Sequence, residues 1–117
     1  MKTLPPPPVP QKLREMLKDY PQYLDELQGT LNRLVENPKQ GVPVFDQAMW
    51  RLEAVLSSFI SEARDELRAA ESSGDPDLVR KAEEKETLMQ HARSSNRGMS
   101  DLNELWAYIE AHKDMLS

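Results

Sequence analysis

Between residues 45 and 67 the apolar side chains fall alternately four and three apart: Phe45, Met49, Leu52, Leu56, Phe59 and Ala63, with Leu67 extending the row. An α-helix gathers such positions on one face, whereas a strand, with its period of two, would scatter them over both. Ala48, Val55 and Ile60 widen the stripe, so this helix should touch more than one neighbour and form the centre of the fold. Running from Val44 to Ser72, it would be ~40 Å long at 1.5 Å per residue. A helix of that length needs partners, and the rest of the chain has to supply them.

The flanking segments carry the same helical period. Leu13, Met16, Leu17 and Tyr20 mark a short first helix. Pro21 either kinks it or opens a new helix as its first residue, with Asp19 or Tyr20 near the cap. Leu24, Leu27, Leu31 and Leu34, with Val35 beside them, form a second seam expected to pack on the Phe45-to-Leu67 face. Asn37-Pro38 ends that helix, and Lys39 to Pro43 reads as a loop.

Ser73-Gly74 stops the long helix, and Asp75-Pro76 starts the next with a cap and a first-turn proline. So short a connection makes the two helices antiparallel neighbours. The following helix, Pro76 to Ser94, carries a narrower stripe of Leu78, Val79, Ala82, Met89 and Ala92, interrupted by Glu83-Glu84-Lys85-Glu86. It reads as peripheral with a solvated middle, Arg80 pairing with Glu84 one turn on. Ser95 to Gly98 is a break, after which Ser100 is placed to cap a last helix bearing Leu102, Leu105, Trp106, Ile109 and Leu116. The expected fold is all-α: a small antiparallel bundle of four to five helices around one long central helix. Residues 11–117 form one domain behind an extended proline-rich leader at 1–10.

Composition narrows the chemistry. The chain of 117 residues has 38% hydrophobic and 30% charged residues, enough for a thin core that a second copy would help to complete. A net charge of −5 repels polyanions and argues against a general nucleic-acid binder. The absence of cysteine excludes disulfides, thiolate nucleophiles and Cys-ligated zinc. No run approaches the ~20 apolar residues of a membrane span, and the first residues hold no apolar stretch of signal-peptide length. The expected compartment is the cytoplasm.

Motifs for catalysis and cofactor binding are lacking. His91 and His112 sit in no H-E-x-x-H; the Glu-x-x-His pairing of di-iron bundles would need glutamate where Leu88 and Ile109 stand. Both read as surface or cap histidines. Ser57-Ser58, Ser72-Ser73 and Ser94-Ser95 lie in no nucleophile elbow, and four glycines form no phosphate-cradling loop. Adjacent acids such as Asp65-Glu66 and Glu83-Glu84 point to different sides of a helix. No catalytic residue, metal or cofactor is expected.

Three features offer binding surfaces instead. The first is Leu4-Pro5-Pro6-Pro7-Pro8-Val9-Pro10, whose prolines favour a polyproline II rod of the kind that docks on aromatic grooves. Pro7 to Lys12 fits the P-x-x-P-x-basic pattern of SH3 ligands, and Leu4 to Pro8 is similar to EVH1 ligands. Since Pro10 suits the start of a helix, a stiff leader is the simpler reading, with docking through Pro5, Pro6, Pro7, Pro8 and Pro10 as the alternative. The second feature is the loop holding Arg93, Arg97 and Ser100, where backbone N–H groups at a helix N-terminus would cradle an anion. A Gly-terminated helix followed by a serine cap accounts for most of that loop without any ligand.

Trp50 and Trp106 are the third feature, each beside a main seam where interface anchors sit. The last segment sets Asp101, Glu104, Glu110 and Asp114 against one lysine, and the long helix is likewise three charges more acidic than basic. The expected function is a non-enzymatic helical protein–protein interaction module, homodimeric, with itself or an unknown protein as partner. The alternative is a small acidic regulator, like chaperones or immunity proteins, that masks a basic protein partner.

Overall fold

The four–three row becomes a continuous helix, α3 (Val44–Ser73), and its seam is the core of the molecule. Leu52, Leu56, Phe59 and Ala63 have no more than 1% of their surface exposed. Gly74 ends the helix in the left-handed region, at φ 75°, and Asp75 caps α4 (Pro76–Arg93) by accepting a 2.9 Å hydrogen bond from the Asp77 amide. The two helices lie antiparallel. Side-chain pairs Ser57–Arg93, Arg64–Glu86 and Glu66–Lys85 step backwards along α4 as they advance along α3.

The computed structural model describes residues 5–116 and places six helices among them, with no strand. Besides α3 and α4 these are α1 (Gln11–Met16), α2 (Pro21–Glu36), α5 (Asn103–Ala111) and α6 (Lys113–Leu116). The molecule is elongated, 55 Å by 23 Å by 22 Å, because α3 sets its length. Pro21 opens a new helix rather than kinking the first, with Tyr20 as N-cap. The α2 seam packs into the common core as its spacing requires, through Leu27, Leu31 and Leu34, although Tyr23 is buried where Leu24 is half-buried. Each leucine removed from water in this way contributes about 2 kcal/mol.

Four local expectations are corrected. The last helix is broken at His112 into α5 and α6, so the bundle has six helices among the described residues, not four to five. Ser100 does not cap it: α5 has Leu102 at its N-cap, and the Asp101 carboxylate accepts the Asn103 amide at 3.2 Å. Ser100 lies too far from the first helical turn, and its hydroxyl donates back to the Arg97 carbonyl. Arg80 pairs with Asp77 (3.5 Å), at the acidic first turn, not with Glu84.

Finally, α4 is not peripheral. Met89 and Ala92 are fully buried, and the middle of the helix turns Lys85 inward, its side chain only 15% exposed.

Candidate functional site

Lys85 closes a cluster that joins three helices. Tyr20, Tyr23 and Phe59 stack in a row, with ring centroids 5.4 and 4.1 Å apart and planes tilted by 12° and 16°. The Lys85 ammonium lies 5.4 Å from the Tyr20 ring centre and 5.1 Å from that of Tyr23, and donates to both Glu66 oxygens at 2.8 Å. Burial works to lower the Lys85 pKa, but hydrogen bonding to Glu66 and Tyr23 outweighs it and leaves the pKa raised. Burial raises the Tyr23 pKa. Both shifts lead away from neutral pH, and the cluster ties α2, α3 and α4 together.

The proline segment lies against the bundle. Pro7 and Pro10 are almost wholly buried, Val9 is 4% exposed and belongs to the core cluster, and Pro8 is half-buried, while Pro5 and Pro6 face solvent. Two side chains hold it by its backbone. Tyr108 of α5 donates its hydroxyl to the Pro5 carbonyl at 2.6 Å, and Gln28 of α2 donates Nε2 to the Pro7 carbonyl at 2.7 Å. Burial raises the Tyr108 pKa, so its hydroxyl stays protonated and able to donate at neutral pH.

At the end of the molecule where α3 begins, a cleft of about 840 Å³ opens between the α2–α3 loop and the α5–α6 corner. Val42, Pro43, Phe45, Ile109 and Met115 give it an apolar lining, and its charged residues are Lys39, Glu110 and Lys113. Trp106 stands on its wall, 49% exposed, its ring edge-on to Phe45 at 5.0 Å. The opposite wall is fixed from below by Gln47, which is buried. Its Oε1 accepts from the Lys39 amide at 2.9 Å, and its Nε2 donates to the carbonyls of Lys39 (2.8 Å) and Val42 (2.9 Å). Trp50, 55% exposed on α3, is outside this cleft.

The arginine loop is tied into the protein's own backbone. The amides of Arg97, Gly98, Met99 and Ser100 donate to carbonyls of Ser94, His91, Ser94 and Arg97, and that of Asn96 donates to the Ser94 hydroxyl. These N–H groups are therefore engaged, not turned outward toward an anion. Arg93 donates Nε to Ser57 Oγ at 2.6 Å, Ser100 Oγ accepts from Lys12 Nζ at 2.9 Å, and Arg97 is exposed. The structure thus engages Arg93 and Ser100 with different partners. His112 Nδ1 lies 2.8 Å from the Tyr108 carbonyl at the end of α5, in the role of a cap, and His91 is half-buried on α4.

Charge is uneven along the long axis. Residues 61–86, the distal part of the α3–α4 hairpin, hold nine carboxylates against five cations, a net −4 out of the chain's −5. Leu78 is exposed there, beside a shallow groove floored by Ala69, Ala70 and Ala82. Among the described residues no three metal-ligating side chains come together, and no helix is long and apolar enough to cross a membrane.

Gln28, Gln47, Lys85 and Tyr108 were not distinguishable in the sequence as site residues. Their partners lie in other elements, and a lone glutamine or tyrosine in a helix carries no motif. No family model matches this chain, and no curated protein or solved structure matches it either.

Proposed function

We propose that the chain is a non-enzymatic helical interaction module that pairs with a second copy of itself through the Trp106 cleft. The observation that carries this reading is a knob beside a hole: a half-exposed indole stands on the wall of an apolar cleft whose far side includes Met115, 45% exposed. A patch holding both shapes is self-complementary about a two-fold axis, each copy's Trp106 entering the other's cleft. Large aromatic side chains seated in desolvated pockets are the usual anchors of such interfaces. Charge supports the choice of end. The cleft is lined by two lysines and one glutamate, whereas the net −4 of residues 61–86 would repel its own copy.

Light scattering of the intact chain at high micromolar concentration is expected to give twice the 13.4 kDa protomer mass. Trp106→Asp should return the monomer, because a carboxylate cannot be buried unpaired in an apolar cleft. Trp50→Asp, outside the cleft, should leave the dimer intact. A monomeric mass for the unaltered chain sinks the reading.

The distal hairpin favours a second reading, in which its acidic surface masks a basic protein partner. Binding of a lysine-rich helical peptide would then weaken steeply as salt is raised. Affinity indifferent to salt excludes it.

A further inference from the structure

The proline segment is held as a ligand is held. A polyproline II backbone makes no internal hydrogen bonds, so its carbonyls project outward and are free to accept. Pro10, at φ −51° and ψ 138°, is close to that conformation. The carbonyls of Pro5 and Pro7 are met by donors from two different helices, Tyr108 on α5 and Gln28 on α2. Gln28 is oriented independently of the leader, since its Nε2 also donates to Asn32 Oδ1 at 3.0 Å, one turn along α2. Neither donor reads a side chain. Specificity comes from the apolar ridge of Pro7, Val9 and Pro10, which is buried. Side-chain donors to the ligand's carbonyls, beside a surface that buries its apolar ridge, are elements that would suit recognition of a preformed polyproline rod.

We infer that the surface between α2 and α5 is a binding groove for polyproline II segments, occupied by the chain's own residues 5–10, and that a proline-rich segment of another protein enters it when the leader is displaced. The tethered leader competes at an effective concentration in the millimolar range, so the groove of the resting chain is masked from weaker outside ligands. Masking is reciprocal. The two prolines of the P-x-x-P pattern, Pro7 and Pro10, are the buried ones, so an aromatic groove on a partner reads them only after the same release.

The test uses the full-length chain labelled with ¹⁵N and an unlabelled blocked peptide of sequence PPPPVP. The Val9 amide reports the leader and the Gln28 side-chain amide reports the groove. In the unaltered chain, tens of millimolar peptide should move the Val9 signal to its free position while Gln28 keeps its bound position. In Val9→Asp, which releases the leader because a carboxylate is not tolerated where Val9 is buried, Gln28 should start at its free position and return saturably at no more than a tenth of that peptide concentration. Adding Tyr108→Phe removes one hydrogen bond and should weaken the peptide about three- to tenfold.

The inference is overturned if excess peptide leaves Val9 unmoved in the unaltered chain, a result that does not require any variant to fold. It is overturned equally if an alanine-only peptide shifts Gln28 as well as PPPPVP does in Val9→Asp. The residues would then be a structural strap and nothing more. Neither result bears on the Trp106 dimer, which is read from mass.

Discussion

Gly98→Ala is expected to destabilise the protein by about 3 kcal/mol, the upper part of the range for overpacking a site that cannot yield. A Cβ at this position would be driven into the backbone of Ala92, its carbonyl oxygen, Cα and carbonyl carbon together. Backbone at a helix C-terminus has no rotamer with which to move away. Ala92 is itself fully buried, and the Gly98 amide is fixed to the His91 carbonyl at 3.1 Å. Gly74→Ala provides the comparison. Gly74 has φ 75° but open space around it, so alanine there meets only the left-handed conformational cost of about 1 kcal/mol. Urea denaturation of the three proteins decides the matter. A Gly98→Ala variant no less stable than Gly74→Ala would mean that the return of the chain after α4 is not closely packed.

That close return has a structural consequence. It turns the chain from α4 back along the bundle, so that α5 lies against α3 and presents Trp106 to the cleft and Tyr108 to the leader. The two surfaces therefore share one short helix, with the indole and the phenol two residues apart on different faces.

How much of this was legible in the sequence depends on the range of the interaction. The α3 seam and the Gly74–Asp75–Pro76 junction could be read because helical period and cap chemistry act within a few residues. The seam of α2 could be read for the same reason, although Tyr23, stacked on Phe59, is buried more deeply than Leu24, which packs at the core's edge. Lys85 could not be read. Within Glu83-Glu84-Lys85-Glu86 it resembles a solvated charge, and only Glu66, nineteen residues earlier, and the rings of Tyr20 and Tyr23 at the start of α2 draw it inward. The leader's position depends on Gln28 and Tyr108, which lie 21 and 103 residues from their partners and carry no pattern. Ser100 was misassigned because a serine before a helix looks like a cap at any of several positions, and the turn geometry that chose Asp101 is set by the packing of the loop.

Phe59→Ala should produce the largest loss of stability, about 3–5 kcal/mol, because a large buried ring is removed and the space left behind collapses only in part. Phe59 is 1% exposed and lies at the inner end of the Tyr20–Tyr23–Phe59 stack. The polar half of the same cluster contributes less. The Lys85 and Glu66 side chains are 15% and 43% exposed, so water screens their attraction, and the cation over the Tyr20 and Tyr23 rings adds about 0.5–2 kcal/mol. Lys85→Ala should therefore cost about 1–2 kcal/mol. The order of the two effects identifies what holds α2 to the hairpin: ring packing, while the Lys85–Glu66 pair ties α4 to α3. A third variant separates the terms. Tyr23→Ala combined with Phe59→Ala should cost less than the two single losses together, since each ring gains its burial partly from the other. Strict additivity in denaturant unfolding would mean that the two rings pack independently, and α2 would then owe its position to Leu27, Leu31 and Leu34 alone.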